Sequence, residues 1–227
     1  MHTKVKTSSS AQDLCPLTGL PQGHPGRDLL AADLDEILRR GEAVSLALVD
    51  VDEFSRANTA LGRERADQLL KAVVRRLTGS LPEEARLARL AGDCFLVLLP
   101  AKEPEEALLA LQAARAAVAR TPIPVGKGST KRAVPTTVSA GVAGAPKDGD
   151  SFGEVLARAQ SALRRAKSLG RDRVASPPSD KMKLKTSYYS QTQLERLAQL
   201  AGSAGVNEST LLREALEDLL LKYKQKV

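Results

Sequence analysis

Three aspartates in the first half of the sequence have the chemistry and the spacing of a site for a divalent cation. Asp50 and Asp52 end an apolar segment, and the alternation of side chains along a strand would place both carboxylates on one face. Asp93 lies at a turn between two further apolar segments. Mg2+ takes oxygen ligands, and one or two carboxylates beside substrate phosphates are usually sufficient. An aspartate in a turn is more often a turn former, so the spacing alone leaves both interpretations open.

The segments around these aspartates alternate between helical and extended patterns. Apolar residues at helical spacing predict helices, and short apolar runs bounded by turn residues predict strands. The predicted helices are residues 28–40, 64–77, 104–120 and 152–167. The predicted strands are residues 43–51, 87–91, 94–99, 134–142 and 173–175. This order predicts an α+β fold, with a mixed and mainly antiparallel sheet and helices flanking it.

Composition and length divide the chain into a large and a small domain. The chain has 227 residues, a net charge of +7 and a pI of about 9.5, a balance that favours polyanionic partners such as nucleic acid. The polar, proline-containing segment 176–180 is typical of a linker. We therefore expect a disordered tail over residues 1–11, a large domain over 12–175 and a small domain over 181–227.

Several functional classes are excluded by the sequence. The longest apolar runs are strand-sized and too short to cross a bilayer, and the polar N-terminus lacks the apolar core of a signal peptide. Cys15 and Cys94 are isolated, with no histidine at metal-binding spacing, which argues against a zinc site or a disulfide scaffold. We therefore expect a protein of the reducing cytoplasm that makes no membrane contact.

Six short segments of the large domain occur in a characteristic order. They are CPLTGLP (15–21), VDVDEF (49–54), Asn58 with Gly62 and Asp67, RLAGDCF (89–95), TVSAGV (137–142) and AKSLGR (166–171). They resemble the motifs DPLTGLP, DxDxF, N…G…GD, RxGGDEF, TxSxG and AKxxGRN of the GGDEF domain, the family of diguanylate cyclases that join two GTP into cyclic di-GMP. The resemblance covers nearly all of residues 13–175 and implies the nucleotidyl-cyclase-like fold of that family.

The resemblance implies a magnesium site and a guanine-nucleotide site in this domain. The metal ligands would be Asp50, Asp93 and the carbonyl of Val51, and the two aspartates would be the catalytic residues of an active enzyme. The nucleotide contacts would be Asn58 and Asp67 at the guanine edge, Gly92 by close backbone approach, and Lys167 and Arg171 at the phosphates. Each domain would hold one GTP, so catalysis would require a dimer.

The signature differs from that of the family beside the metal-binding aspartate. Cys94 stands in place of a glutamate, and a thiol is a poor ligand for Mg2+. Ala91 replaces a glycine and adds a methyl group where the backbone must approach the nucleotide. No RxxD occurs at residues 82–86, so the inhibitory product site of the family is not expected. These departures predict a degenerate domain that keeps a nucleotide pocket or serves only as a dimerising or protein-binding scaffold.

The small domain has a lysine-rich extended segment followed by two helical patterns. Lysines alternate with other residues over 181–186, and helices are predicted over 191–201, capped by Ser190, and from 208 to about 222, capped by Asn207. A domain this small requires a second copy to cover its leucine-rich faces. The segment GVNESTLLREA (205–215) resembles the ribbon-helix-helix family of DNA-binding dimers. The DNA contacts implied by that resemblance are Lys183, Lys185, Thr186, Tyr188 and Asn207.

Two functions are compatible with these patterns. The first is a dimeric, DNA-binding transcriptional regulator of the cytoplasm, associated with the nucleoid. Its catalytically inactive GGDEF domain would bind GTP or a related guanine nucleotide, with Mg2+, or a protein partner. The second is an active diguanylate cyclase that is dimerised by its C-terminal tail. For the tail itself, a plain helical hairpin that only dimerises is the alternative to a DNA-binding domain.

Overall fold

The structure is a computed structural model that describes residues 14–178, 188–204, 207–209, 211–212 and 215. The chain divides into two units, Met1–Ser179 and Asp180–Val227, and each is described by itself. The division falls within the segment 176–180, whose composition is that of a linker.

The large unit is built around a five-stranded mixed sheet. Its elements are α1 (Gly23–Arg39), β1 (Val44–Val51), α2 (Phe54–Leu61), α3 (Arg63–Thr78), β2 (Arg86–Ala91), β3 (Cys94–Pro100), α4 (Pro104–Ala119), β4 (Ile123–Val125), β5 (Arg132–Val134), β6 (Val138–Ala145), α5 (Phe152–Ser168) and β7 (Val174–Ala175). The strand order is β2-β3-β1-β6-β7, and β4 and β5 form a separate hairpin. The central strand β1 runs antiparallel to β3 and β6, whereas β7 runs parallel to β6. The predicted fold class is confirmed.

Two hydrophobic cores lie on the two faces of the sheet. Alternate residues of β3 point to opposite cores, so that Phe95 is buried against α3 and α4 and Leu96 against α1 and α5. A strand covered on both faces is apolar at nearly every position, which explains the continuous apolar run of β3. The contact of α5 with β6 is especially close at Gly141, where a Cβ atom would lie 2.1 Å from the backbone nitrogen of Leu163.

The predicted elements agree with the structure except at a few positions. The strand predicted over 134–142 is confirmed over 138–142 but is not continuous, because β5 ends at Val134 and β6 begins only at Val138. Pro135 lies between them and has no N–H to donate to a sheet. The first helix begins at Gly23 rather than at residue 28, since Pro25 is tolerated in a first turn whose N–H groups have no partner within the helix. Helix α2 and the β4–β5 hairpin were not predicted.

The described part of the small unit contains helix α6 (Gln191–Ala204). Ser190 caps it as predicted, because its Oγ accepts a hydrogen bond from the N–H of Gln193 at 3.3 Å. Residues 208, 209, 211, 212 and 215 are helical, whereas the predicted strand 181–186 and the rest of the second helix lie outside the described residues. None of the helices in the described residues combines the length and the apolar character that a membrane span requires.

Candidate functional site

The end of β1 and the β2–β3 hairpin bring together the two aspartates among the proposed metal ligands. Asp50 is paired in register with Cys94 of β3, and the N–H of Val51 donates to the carbonyl of Asp93 at 3.3 Å. Asp93 follows Gly92 at the turn of the hairpin, where Gly92 has a φ of 55°. The register of β1 on β3 therefore fixes the turn beside the carboxylate of Asp50.

Lys167 joins this pair from the last turn of α5. Its Nζ lies 2.7 Å from Oδ1 of Asp50, with 37% of the lysine side chain and 16% of the aspartate side chain exposed. The close packing of α5 on β6 at Gly141 brings the helix near enough for this contact. Asp50, Asp93 and Lys167 thus form one charged cluster, which we call the carboxylate cluster.

The electrostatic environment of the carboxylate cluster opposes further negative charge. Burial and the neighbouring Asp50 raise the pKa of the Asp93 carboxyl, and the charges of Lys167 and Arg89 counteract part of this shift. Burial and the charges of Asp50 and Asp93 raise the pKa of the Cys94 thiol to about 12. At neutral pH the side chain of Cys94 is therefore an uncharged thiol, whereas the glutamate of the GGDEF motif would be a carboxylate.

The donors of the carboxylate cluster fit a magnesium ion that is bound together with phosphates. The carboxylates of Asp50 and Asp93 are close enough for one to raise the pKa of the other, and a divalent cation between them would reduce this repulsion. Mg2+ takes its remaining ligands from phosphates and water. No group of three or more His, Cys, Asp or Glu side chains assembles into a metal site among the residues that the structure describes. The fit is thus to one cation supplied with a nucleotide, and not to a site closed by the protein alone.

Asp52 has a different role from the one its spacing indicates. Its Oδ1 accepts a hydrogen bond from Ser139 Oγ at 2.7 Å, and its Oδ2 accepts from Thr137 Oγ1 at 2.7 Å and from the N–H of Asp172 at 3.1 Å. These hydrogen bonds join the end of β1 to the start of β6 and to the loop after α5. The Asp52 carboxylate is thus used as a structural acceptor, and it is not among the metal ligands that the resemblance implies.

The loop after α5 holds Arg171 in an unusual backbone conformation. Gly170, Arg171 and Asp172 have φ values of 107°, 62° and 45°, a region that non-glycine residues rarely adopt. The N–H of Arg171 donates to the carbonyl of Ala166 at 3.1 Å, and Arg115 of α4 forms an ion pair with Asp172 at 2.6 Å. Strained backbone held by several contacts is common at functional sites.

The structure separates the two proposed phosphate contacts. Lys167 lies in the carboxylate cluster, whereas Arg171 lines a cleft of about 560 Å³ together with Asp52, Glu53 and Arg56. This cleft lies beside α2, the helix that follows β1. Arg171 therefore lies beside Asp52 and Glu53 of the β1–α2 turn, whereas Lys167 lies beside Asp50 at the end of β1.

The proposed guanine contacts lie on two consecutive helices. Asn58 is exposed on α2, and its carbonyl accepts the N–H of Gly62 at 3.0 Å, the hydrogen bond that ends this helix. Asp67 is partly buried on α3. Gly62, with a φ of 79°, makes the turn that joins the end of α2, which carries Asn58, to the start of α3, which carries Asp67.

Arg89 is a further residue of the site that was not among the predicted ones. Its Nε donates to the carbonyl of Gly92 at 2.8 Å and its Nη1 to Sγ of Cys15 at 3.0 Å. Burial raises the pKa of the Cys15 thiol, but hydrogen bonds with Thr18 and Arg89 outweigh this effect, so the pKa is lowered overall. Arg89 thus links the N-terminal segment to the turn that contains Asp93. Its place in the RxGGDEF-like motif was the only feature of the sequence that could have indicated this role.

The proposed DNA contacts are described only in part. Lys183, Lys185 and Thr186 lie outside the described residues. Tyr188 and Asn207 are both exposed, and the carbonyl of Asn207 accepts the N–H of Leu211 at 3.4 Å.

Comparison with known protein families defines the class of this chain. The family described as "Diguanylate cyclase, GGDEF domain" matches residues 13–173, and the ribbon-helix-helix family matches residues 185–224. The chain therefore belongs to the GGDEF family and carries a ribbon-helix-helix domain at its C-terminus.

Two relatives of this chain are named for opposite activities, the synthesis and the hydrolysis of cyclic di-GMP. The diguanylate cyclase DgcP of Pseudomonas aeruginosa is 37% identical over 160 residues, which are 70% of this chain and 23% of DgcP. The cyclic di-GMP phosphodiesterase NbdA of the same organism is 33% identical over 156 residues, 69% of this chain and 19% of NbdA. The chain thus spans about a fifth of the length of each of these two relatives.

Solved structures of GGDEF domains have the same fold. The GGDEF domain of YfiN from Pseudomonas aeruginosa is 28% identical, with a TM-score of 0.67, and the match covers 73% of this chain and 94% of that one. The coiled coil and GGDEF domain of DgcB from Caulobacter crescentus, solved in complex with c-di-GMP, is 27% identical, with a TM-score of 0.66. That match covers 72% of this chain and 85% of the DgcB chain.

Proposed function

We propose that the protein is a dimeric DNA-binding regulator whose GGDEF domain binds a guanine nucleotide without converting it to cyclic di-GMP. The observation that carries the proposal is the thiol of Cys94 beside Asp50 and Asp93, in the position where the GGDEF motif has a carboxylate. The ribbon-helix-helix domain supports the DNA-binding part.

Cys94 does not supply the carboxylate that the GGDEF motif has at this position. A neutral thiol neither ligates a hard cation well nor accepts a proton from a ribose hydroxyl at neutral pH. Two carboxylates remain, and these are sufficient to hold a magnesium ion that accompanies a nucleotide. Such an ion, held by Asp50 and Asp93, would offset the charge of the phosphates.

Nucleotide binding draws on the groups that the site retains. Lys167 is partly exposed, and its ammonium can exchange the carboxylate of Asp50 for a phosphate oxygen without leaving the site. Arg171 reaches the same β1–α2 turn from the neighbouring cleft. Asn58 and Asp67 offer the amide and carboxylate that distinguish guanine from adenine by hydrogen bonding.

Dimerisation and DNA binding are proposed for the C-terminal unit. Leu194 and Leu200 of α6 are 45% and 56% exposed and lie three residues before and after Leu197, and leucines at such spacing are stabilised when a second copy covers them. The lysine-rich segment before α6, predicted from the sequence as a strand, contains Lys183 and Lys185, which would lie against DNA if two such segments paired as in the ribbon-helix-helix family.

The first experiment tests catalysis. The purified full-length protein is incubated with GTP and Mg2+ or Mn2+, and cyclic di-GMP is measured by chromatography beside an Asp93→Ala variant. We expect no product from the wild-type protein while a fluorescent GTP analogue binds it. Product that depends on Asp93 would overturn the proposed inactivity.

The second experiment tests DNA binding and its coupling to the nucleotide. The anisotropy of a labelled duplex is measured over a series of salt concentrations, with and without GTP. We expect affinity to fall steeply as salt rises, because lysines that contact phosphates release bound counterions. If GTP changes the affinity for DNA, then DNA must change the affinity for GTP by the same factor. Absence of salt-dependent binding would contradict the regulator.

An active diguanylate cyclase is the second candidate. The observation in its favour is the carboxylate cluster, in which Asp50, Asp93 and Lys167 lie together although Cys94 lacks the charge of the glutamate in the GGDEF motif. In that case the C-terminal unit would supply the dimer in which two GTP-bearing domains face each other. The Asp93-dependent formation of cyclic di-GMP distinguishes this candidate from the regulator.

A further inference from the structure

The large unit has a strongly basic surface away from the carboxylate cluster. It comprises exposed residues of α3, of the chain just after α4 and of the β4–β5 hairpin, and we call it the basic face. Its members are Lys71, Arg75, Arg120, Lys127, Lys131 and Arg132. Residues 107–147 contain no aspartate or glutamate, so most of α4 and the whole hairpin contribute no negative charge.

A hydrogen bond fixes the turn of the hairpin on α3. The N–H of Gly126 donates to Oε1 of Gln68 at 2.7 Å. Lys127 follows Gly126 in the turn, and Lys71 lies one helical turn after Gln68. Two exposed lysines from distant parts of the sequence therefore flank the same contact.

Arg76 fixes the end of α4 on the same helix. Its guanidinium donates to the carbonyl of Val118 at 2.7 Å and to that of Thr121 at 2.5 Å. Arg75 precedes it on α3, and Arg120 precedes Thr121. Arg76 uses its donors within the protein, whereas Arg75 and Arg120 lie exposed beside the contact.

The turn that carries the hairpin lysines has a defined conformation. Gly126 has a φ of 89°, and a Cβ atom there would lie 2.6 Å from the carbonyl oxygen of Thr130. The hydroxyl of Thr130 donates to the carbonyl of Lys127 at 2.7 Å, which closes the turn. A preformed turn loses less conformational entropy when it binds a ligand than a flexible loop does.

The basic face lacks internal counter-charges. Arg115 and Lys147, the other basic residues of 107–147, are both ion-paired. In the ranges that the structure describes, no ion pair involves a member of the basic face. Helix α3 itself has two acidic residues, Glu64 and Asp67, against five basic ones, so the positive charge is in excess.

We propose that the basic face binds the phosphates of duplex DNA, as a contact additional to the one proposed for the C-terminal unit. The inference rests on the proposed DNA-binding function, because the ribbon-helix-helix domain in the same chain favours DNA over an acidic protein as the partner. Exposed lysines and arginines hold phosphates but read no bases from that position. The basic face therefore increases affinity for duplex DNA and leaves sequence preference to the C-terminal unit.

The test uses the full-length protein and two matched double variants. Lys127→Glu with Lys131→Glu alters the basic face, whereas Arg39→Glu with Arg164→Glu makes the same charge change on α1 and α5, on the opposite face of the sheet. Duplex affinity is measured by anisotropy over a salt series. We expect the slope of log affinity against log salt to fall by about two for the hairpin variant, since each lost phosphate contact removes about 0.9. The α1–α5 variant keeps the wild-type slope.

The outcomes separate this inference from the proposed function. Salt-dependent DNA binding by the wild-type protein, with equal slopes for both variants, would overturn the basic face as a DNA contact but leave the regulator intact. No binding by the wild-type protein would overturn both. A milder variant, Lys127→Gln with Lys131→Gln, guards against misfolding, and it is expected to retain the thermal unfolding temperature while reducing the slope in the same direction.

Discussion

The ammonium of Lys167 lies 2.7 Å from Oδ1 of Asp50, so a residue proposed to hold phosphate is paired with one proposed to hold a metal. The pair joins the last turn of α5 to the end of β1, two elements that are distant in sequence. It provides a counter-charge for a carboxylate that also neighbours Asp93. Binding of an anion at this place therefore involves a competition for one ammonium group.

Replacement of Lys167 by glutamine should weaken nucleotide binding. The change removes a charged hydrogen-bond donor, and we expect the affinity for a fluorescent GTP analogue to fall by roughly tenfold or more. Arg164→Gln, an exposed change three residues earlier on α5, serves as the control and should have little effect. Equal affinities of the two variants would exclude Lys167 from the nucleotide site.

The pair of Lys167 and Asp50 should also show coupling in stability. The free energy of unfolding in urea is measured for the wild type, for Lys167→Gln, for Asp50→Asn and for the double variant, which together form a double-mutant cycle. The partly exposed geometry predicts a coupling free energy of about 1 kcal/mol or less. Purely additive effects would show that the ion pair does not contribute in solution.

Restoring the signature should restore catalysis if the remaining groups are competent. Cys94→Glu with Ala91→Gly rebuilds the GGDEF pattern, and we expect cyclic di-GMP to form from GTP and Mg2+. Cys94→Ser with Ala91→Gly is the matched control, which restores no carboxylate and should remain inactive. If the rebuilt domain binds GTP but forms no product, the loss of activity lies beyond these two positions.

The thiol of Cys94 should react slowly with alkylating reagents. Its pKa of about 12 means that little thiolate exists at neutral pH, so the rate should rise about tenfold for each pH unit, without a plateau in the mildly alkaline range. The rate is followed by mass spectrometry in a Cys15→Ser background. Asp50→Asn removes a like charge, lowers the pKa of the thiol and accelerates the reaction; an unchanged rate would argue against this electrostatic origin.

Gly141 should be the least replaceable glycine of the sheet. An alanine Cβ would lie 2.1 Å from the nitrogen of Leu163 and 2.2 Å from the carbonyl oxygen of Ala159, so Gly141→Ala should destabilise the protein by roughly 3 kcal/mol or more. Gly153→Ala on α5 meets no atom within 4 Å and should be neutral or stabilising. Urea unfolding of both variants checks the contrast, which would fail if Gly141→Ala were as stable as Gly153→Ala.

Much of the fold could be predicted because its helices and strands have regular apolar patterns. Phe95 to Leu99 form a continuous apolar run since β3 is covered on both faces, and Leu69 to Leu77 mark the buried side of α3 at helical spacing. Helix α2 was missed because it buries none of its side chains completely. The β4–β5 hairpin was missed because its strands are only three residues long and include Pro124.

The candidate site was less predictable than the fold. The closeness of Asp50 and Asp93 follows from a strand end and a turn, which the motifs locate. The contacts of Asp52, however, depend on Thr137, Ser139 and Asp172, which only the folded sheet brings together. The pairing of Lys167 with Asp50 likewise depends on how closely α5 packs on β6, a distance that no local pattern encodes.

The last strand of the large unit has a mechanical consequence for the domain that follows. Val174 and Ala175 are its only residues, and they leave four connecting positions, 176–179, before the second unit begins at Asp180. Detachment of so short a strand would add at most about 3.6 Å of contour for each residue released. A longer tether lowers the effective concentration of one bound domain for its neighbour. A ligand that held Arg171 and Asp172 in place would therefore help to keep β7 attached and the connection to the C-terminal domain short.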